Sequence, residues 1–465
     1  MKKKIKEILS ALTFAAVMTA GCQALNYALV SYDPFSRILM HSYYEQENID
    51  TVFVGSSHVY CDINPTVFDQ VSGRRSFNMA SPGQRWDNSY DWLRDAVSRY
   101  DIRHVYLECY YWNMTESDTW FRTEKVFKAA DFIDDPINNS RPWLLTDEMK
   151  PSLAKYRMLA GSAGKSYFME TWLPFVRYRG NIFNYGLIQQ NMIEKNSDEY
   201  LQYTHHEEHV DADGNPWIIE YRDRGYYYSE GGRFLDSEKL FCKDRDLQKY
   251  GIGEKSESYL RKTIAFCQKN NIEVSLFISP VNDLQLISTG DYDGFLEELR
   301  AVANDCQVPL YDFNLLKKEV LNIRKSEYFM DVDHLNGIGS ELFTPVLWNV
   351  LNASENENKN KFYHSYSEKL AADDPELFGL YYTGENPGEA VMADGRPVYT
   401  VHRYTVASNR TDMEYRLTKI TDEGSEELIR DYSTDTEFAL PADEHGTIRI
   451  SARNKEAELQ LDVTY

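Results

Sequence analysis

Two groups of residues, far apart in the chain, carry side chains that could together perform nucleophilic chemistry. The first is the tetrapeptide Gly55–His58, GSSH, which follows an apolar and β-branched run. The second is the pair Asp331 and His334, three residues apart in the sequence DVDH. Because this spacing puts both side chains on one side of a helical or turn-like segment, the carboxylate can orient the imidazole. His334 is then free to take a proton from the hydroxyl of Ser57, which predicts a Ser-His-Asp triad.

Alternating strands and helices predict the sheet that must bring these groups together. Four apolar runs indicate buried parallel strands: Asp50–Gly55, His104–Tyr111, Ile272–Pro280 and Val308–Phe313. Helical spacing of apolar residues occurs in four further stretches: Trp86–Tyr100, Ser256–Lys269, Tyr292–Asn304 and Gly339–Leu351. This order is typical of a doubly wound, flavodoxin-like parallel sheet, in which ligands bind at the carboxyl ends of the strands. The GSSH turn follows the first strand and is therefore expected at that edge.

Changes in composition divide the rest of the chain around this α/β domain, which we assign to residues 33–351. Residues 114–251 interrupt the strand and helix rhythm with an aromatic-rich insertion. An insertion of this length is usually a cap over the site or a local subdomain, and we interpret this one as a cap. Residues 352–365 begin with the polar run NASENENKNK, which indicates a linker. Short alternating segments such as VYTVHRYTV and TIRISA then predict an antiparallel β-sandwich, immunoglobulin-like or fibronectin-like, over residues 366–465.

The N-terminus carries a targeting or membrane signal. Four lysines among the first six residues precede Ile8–Tyr32, a stretch without a charged side chain. Basic residues stay on the cytoplasmic side of a membrane, so residues 1–32 predict a signal anchor with an extracytoplasmic catalytic domain behind it. The sequence TAGC, ending at Cys22, leaves a lipoprotein open as an alternative, and a cleaved secretory signal is another. All three export the rest of the chain.

Charge and composition exclude several classes of function. The formal net charge is −23, with 73 acidic residues against 50 basic ones, so the phosphate backbone of a nucleic acid would be repelled. The six cysteines contain no CxxC pair, and the run HHEEH at residues 205–209 lacks the HExxH spacing of a zinc site. We therefore expect a solvated loop at residues 205–209, no metal and no cofactor.

Three short blocks resemble those of the SGNH (GDSL-like) serine hydrolase and acyltransferase superfamily. GSSH resembles the nucleophile block, with Ser57 at the nucleophile position, and DVDHLN resembles the terminal D-x-x-H block. FNMASPGQ, residues 77–84, is similar to the second block. The resemblance implies that the backbone N–H groups of Gly83 and Ser57 form an oxyanion hole. The third block departs from the family pattern because the chain reads LECYYWNM there, and Asn113 is the candidate for its oxyanion donor.

The anchor followed by GSSH and an INP segment resembles the extracytoplasmic branches of that superfamily, which modify cell-envelope polymers. The resemblance implies an acyl-ester hydrolase or O-acyltransferase that acts on polysaccharide through an acyl-enzyme on Ser57. A transferase would need a membrane protein to deliver acyl groups. The alternative is a catalytically inactive member of the fold that binds carbohydrate or serves as a scaffold at the cell surface. We expect His58 to be structural and Asp333 to face solvent.

Overall fold

The computed structural model describes most of the chain. The described residues are 2–115, 145–163, 168–210, 216–230, 240–242, 251–323, 326–331, 333–384, 390–393, 396–399, 401–421, 424–441 and 446–464. Parts of the insertion, among them residues 116–144 and 231–239, therefore lie outside the described residues.

The helices and strands are numbered here in chain order. The helices are α1 Lys2–Leu29, α2 Pro34–Glu45, α3 Ser57–Asp62, α4 Pro65–Ser72, α5 Trp86–Arg99, α6 Tyr111–Met114, α7 Leu153–Ala163, α8 Phe168–Trp172, α9 Tyr185–Glu194, α10 Asp198–Gln202, α11 Glu254–Lys269, α12 Asp283–Ser288, α13 Tyr292–Cys306, α14 Gly337–Leu351, α15 Glu355–Asn358 and α16 Tyr366–Ala372. The strands are β1 Thr51–Gly55, β2 Ser76–Ala80, β3 His104–Glu108, β4 His206–Val210, β5 Pro216–Asp223, β6 Tyr226–Ser229, β7 Leu240–Cys242, β8 Glu273–Ile278, β9 Leu310–Asp312, β10 Leu377–Gly384, β11 Ala390–Ala393, β12 Arg396–Tyr399, β13 Val401–Ser408, β14 Glu414–Ile420, β15 Glu426–Ser433, β16 Glu437–Pro441, β17 Thr447–Arg453 and β18 Glu458–Thr464.

A five-stranded parallel sheet forms the centre of the α/β region, in the order β2-β1-β3-β8-β9. Side chains of β1 alternate between its two faces: Val52 and Val54 pack in one apolar cluster with α5, α11 and α13, and Phe53 packs in another with α14. A sheet covered on both faces is what buried, apolar parallel strands require. The mixed α/β class expected from the sequence is confirmed.

Strand β2 was not predicted from the sequence, although the strands on either side of it in the chain, β1 and β3, were predicted. Asn78 lies in the middle of this strand and breaks its apolar pattern, yet the residue is fully buried. Its side-chain amide donates hydrogen bonds to the carbonyl oxygens of Val59 (3.1 Å) and Ile63 (2.8 Å). Asn78 therefore supplies hydrogen bonds to carbonyl groups at the end of α3, a role that is visible only in three dimensions.

The C-terminal region contains separate β-sheets with an apolar core of their own. Two four-stranded sheets, ordered β16-β13-β10-β7 and β15-β14-β17-β18, contribute side chains to that core. All their pairings are antiparallel except that of β7 with β10. Since β7 belongs to the insertion, the insertion completes the edge of a C-terminal sheet as well as covering the α/β region.

The segment between the α/β region and these sheets is structured. Ser354 and Glu357 form a reciprocal capping box at the start of α15. The first seven residues expected to belong to the sandwich form α16 instead, where Lys369 is buried and its ammonium lies 2.5 Å from the Asp283 carboxylate. The sheets therefore begin at Leu377, and α16 joins them to the α/β region.

The described parts of the insertion pack in two places. Strands β4, β5 and β6 form a three-stranded antiparallel sheet, and β6 contacts α3, the helix that begins at Ser57. Residues 206–210, for which a loop was expected, form β4 because they pair in register with residues 216–220. Helix α7 packs on α5, and α9 packs on the end of α1. Helix α1 itself is long and apolar enough to cross a membrane.

Candidate active site

The two serines of the GSSH turn point in different directions. Ser56 is the N-cap of α3 and is buried, and its hydroxyl donates to the carboxylate of Glu108 at 3.2 Å. Ser57 is the first residue of α3, and its Oγ lies 2.7 Å from Nε2 of His334. Only Ser57 therefore combines partial exposure with a base in hydrogen-bond contact.

Gly55 makes this turn possible by leaving room for Glu108. A Cβ at position 55 would lie 2.6 Å from the Cβ of Glu108 and 2.7 Å from a methyl group of Val59, closer than real atoms pack. Glu108 is fully buried at the end of β3 and also accepts the backbone N–H of Ser56 at 3.2 Å. Burial raises the pKa of Glu108 to about 7, although the hydrogen bonds from Ser56 act against this rise.

Asp331 holds the imidazole of His334 from the side opposite Ser57. Nδ1 of His334 lies 2.9 Å and 3.0 Å from the two carboxylate oxygens of Asp331. The same carboxylate accepts the backbone N–H groups of Asp333 (3.0 Å) and His334 (2.8 Å), so the segment is a tight turn rather than a helix. The three predicted triad residues thus form one continuous chain of hydrogen bonds.

Asp333 also contacts the imidazole, so the expectation that it faces solvent is wrong. One of its carboxylate oxygens lies 2.9 Å from Nδ1 of His334. The other accepts the hydroxyl of Tyr110 at 2.9 Å, which in turn lies 3.3 Å from the hydroxyl of Tyr111. The side chain of Asp333 is 20% exposed, against 46% for Asp331. Tertiary contact with Tyr110 turns Asp333 inward.

The two carboxylates control the protonation of His334. Burial would lower the pKa of His334, but the charges of Asp331 and Asp333 outweigh it and raise that pKa well above the usual value. Burial opposes ionisation of Asp331 as well, yet the attraction of His334 and the hydrogen bonds it accepts lower its pKa. Asp333 behaves oppositely, since burial raises its pKa. Asp331 is therefore the more acidic of the two carboxylates.

Two further ionisable residues of α3 are buried behind the nucleophile. His58 is fully buried, and its ring stacks on that of His334 with centroids 4.6 Å apart. Burial lowers the pKa of His58 well below its usual value, so this ring is neutral. Asp62 is also fully buried and accepts the backbone N–H of Leu335 at 2.9 Å. It ties the nucleophile helix directly to the turn that carries His334.

The predicted oxyanion donors occupy loops at the same edge of the sheet. Ala80 pairs with Gly55, so the turn containing Gly83 emerges beside the nucleophile turn. Gly83 has φ +56°, a conformation that favours glycine, and a Cβ there would meet open space. The N–H of Ser57, at the first position of α3, has no acceptor within the helix.

Asn113 is buried in α6 near this edge. Its carbonyl oxygen accepts the hydroxyl of Ser256 at 3.1 Å, and its N–H bonds the carbonyl of Tyr110. Among the described residues no hydrogen bond joins its side chain to the triad, and its role as a donor stays a prediction.

Sequence reasoning missed the polar groups that support the triad. Glu108 lay inside an apolar run, and Asp333 and Asp62 had no pattern that distinguished them from surface carboxylates. For Glu108 a signal existed, since a charged residue in an otherwise apolar parallel strand must be buried and needs a partner. No comparable signal exists for the other two.

Comparisons with known proteins do not indicate a function, so any proposal must rest on the site itself. No family model matches this chain, and no curated protein matches it. One solved structure found by comparison is a modular endo-β-1,4-mannanase from Cellulomonas fimi, reported in connection with the product specificity of glycoside hydrolase family 26 mannanases. The alignment covers 94% of this chain and 98% of that chain, with 10% identity and a TM-score of 0.16. Similarity at that level carries no argument about fold or function.

Proposed function

We propose that this protein is a serine-dependent acyl hydrolase or O-acyltransferase of the SGNH type that acts on cell-envelope or extracellular polysaccharide. The observation that carries the proposal is the hydrogen-bonded chain from Ser57 through His334 to Asp331 at the carboxyl edge of a parallel sheet. A nucleophile, a base and a group that orients the base are the minimum for acyl transfer. The SGNH-like blocks of the sequence support the same assignment.

In the proposed acylation step, Oγ of Ser57 attacks an ester carbonyl while Nε2 of His334 takes the hydroxyl proton. A tetrahedral intermediate forms with a negative oxygen, and its collapse breaks the bond to the leaving alcohol. His334 returns the proton to that alcohol, which leaves the acyl group on Ser57. Asp331 remains ionised throughout and stabilises the imidazolium that forms between these steps.

The proposed oxyanion hole comprises the N–H groups of Ser57 and Gly83, with Asn113 as a third donor. Each fixed donor of this kind typically lowers the barrier by about 2.7 to 4 kcal/mol. Support comes from the N–H of Ser57, which has no acceptor within α3, and from the left-handed backbone of Gly83, where a Cβ would meet open space. Both lie at the sheet edge that carries the nucleophile.

In deacylation the acceptor decides the product. Water gives an esterase, whereas a sugar hydroxyl gives an O-acyltransferase, and His334 takes the acceptor's proton in both cases. With the catalytic domain outside the cytoplasm, a transferase would receive its acyl group through a membrane protein. We propose further that α1 is a signal anchor and that the two C-terminal sheets form an immunoglobulin-like sandwich, since they enclose one core.

A fluorophosphonate probe tests the proposal directly. The detergent-solubilised chain is incubated with the probe, and intact mass spectrometry measures labelling of wild type, Ser57→Ala, His334→Ala and the matched control Ser56→Ala. One adduct on wild type and on Ser56→Ala, lost in the other two variants, is the expected result. Absence of labelling on folded wild type would instead favour the inactive carbohydrate-binding protein.

If labelling is found, the same preparation distinguishes the two reactions. An acyl p-nitrophenyl ester is supplied with and without an oligosaccharide acceptor, and the products are separated by mass. A transferase gives acylated oligosaccharide at the expense of free acid, whereas an esterase gives free acid in equal amount under both conditions.

A further inference from the structure

The end of α1 is held firmly by the insertion rather than joined to it by a loose tether. The ammonium of Lys195 lies 2.8 Å from the carbonyl oxygen of Tyr27 and 2.5 Å from that of Val30. The side chain of Asn191 donates to the carbonyl oxygen of Ala28 at 3.0 Å. The last carbonyls of a helix lack partners within the helix, so these contacts satisfy them. The helix therefore enters the catalytic region in a fixed direction.

The length of α1 places this junction at the surface of a bilayer. The part of α1 without charged side chains, residues 8–29, spans about 33 Å at 1.5 Å per residue. The hydrocarbon core of a membrane is about 30 Å thick. If Ile8 lies at one boundary, Leu29 lies at the other, beside Lys195 and Asn191.

Around this junction the protein exposes large apolar side chains. We call residues 168–193 the collar; they include α8, two short 3₁₀ turns and α9. Phe183 is 80% exposed, Tyr185 75%, Ile193 64% and Trp172 51%. An apolar hollow of about 530 Å³ opens on α9 between Tyr185 and Ile193. Concentrated exposure of this kind marks a surface that is covered in the working protein.

The charge of the collar differs from that of the rest of the chain. The protein has 73 acidic residues, yet the collar contains only Glu170, which is buried, and none occurs between Glu170 and Glu194. The charged residues in that interval are Arg177, which is buried against Asp147, and the exposed Arg179. Most of the surface would be repelled by anionic lipid, whereas this segment would not.

We propose that the collar is a membrane-interface surface, embedded among the lipid headgroups around the point where α1 leaves the bilayer. Aromatic side chains with a polar edge, such as Trp172 and Tyr185, favour that zone, and the adjoining aliphatic side chains reach the acyl chains below it. Contact of α9 and the 3₁₀ turn Pro174–Val176 with α1 makes the surface continuous with the membrane-spanning helix. The collar fixes the height and orientation of the Ser57 site above the lipid.

Photocrosslinking from a single position tests this proposal without relying on acyl chemistry. A photoreactive benzoylphenylalanine replaces Phe183 in the full chain, which is reconstituted in vesicles of phosphatidylcholine and phosphatidylglycerol and irradiated. Leu428, an apolar residue 50% exposed on β15, receives the same replacement as a matched control. Both variants carry α1 and associate with the vesicles equally, so a difference in lipid adduct reflects the position of the photoreactive residue.

The expected result is a lipid adduct at position 183, detected by intact mass, in at least tenfold excess over position 428. A crosslinked dimer at position 183 would overturn the proposal and indicate a contact between two copies. Equal, low yields of lipid adduct at the two positions would also overturn it, because the collar would then face water. Phe183 is 80% exposed, so its replacement is expected to leave the fold intact.

Discussion

Around Ser57 the protein buries ionisable side chains, whereas around the end of α1 it exposes apolar ones. Glu108, Asp62 and His58 are each at most 1% exposed, while Phe183 and Tyr185 are at least 75% exposed. Both arrangements cost stability, since burying an ionisable group and exposing a large apolar side chain to water are each unfavourable. The difference fits the two proposals made above, which assign a reacting ester to the first region and a lipid surface to the second.

The largest effect expected in the buried region separates the two adjacent serines. Ser57→Ala removes the attacking oxygen, so kcat for hydrolysis of a p-nitrophenyl ester should fall by about 10⁴-fold or more. Ser56→Ala removes a hydroxyl that contacts Glu108 and His58, neither of which belongs to the triad, and should change kcat less than about tenfold. The absorbance of released p-nitrophenol, followed with both purified variants and wild type, gives kcat. Equal loss in both would show that the turn, rather than one hydroxyl, carries the activity.

A second pair of variants sharpens the difference between the two carboxylates on His334. Asp331→Asn removes the carboxylate with the lower pKa and should lower kcat by about 10² to 10⁴-fold, because the imidazolium loses its main counter-charge. Asp333→Asn should lower kcat by about tenfold or less. Thermal unfolding of both variants controls for folding. If the larger loss belongs to Asp333→Asn, the roles of the two residues are reversed.

The pH dependence of the reaction tests the electrostatics directly. His334 accepts a proton only when neutral, and two carboxylates raise its pKa above 6.5, so kcat/KM should increase with pH and level off above that raised value. Asp333→Asn removes one of the two charges and should move the midpoint to lower pH. Tyr111→Phe keeps both charges and the hydrogen bond from Tyr110 to Asp333, so it serves as the control, with little shift expected. An unchanged midpoint in Asp333→Asn would contradict the assignment.

The smallest effect is expected at the junction of α1 with the collar. Lys195→Met removes the cation that holds the last carbonyls of α1 and should cost about 1 to 3 kcal/mol locally. Hydrogen exchange measured by mass spectrometry should become faster in residues 26–30, with kcat for the ester unchanged. Gln190→Met, on the exposed face of α9, is the matched control. Unchanged exchange in the Lys195 variant would show that other contacts hold the junction.

Much of the fold and the triad could be predicted from the sequence because local rules determine them. Buried parallel strands require continuous apolar runs, so β1, β3, β8 and β9 were recognisable. Asp331 and His334 are three residues apart, and side chains at that spacing lie on the same side of the chain in a turn as well as in a helix. The net charge and the uncharged N-terminal stretch likewise needed no structure.

Only the tertiary structure decided which polar residues work beside the triad. Asn78 breaks the pattern of β2 because its partners are carbonyls of α3, and Asp333 turns inward because Tyr110, more than 200 residues earlier in the chain, donates to it. The collar depends in the same way on where α9 packs. The spacing of apolar and polar residues predicts which face of a single helix or strand is buried. These contacts depend instead on which helices and strands pack together, and that is decided only by the folded chain as a whole.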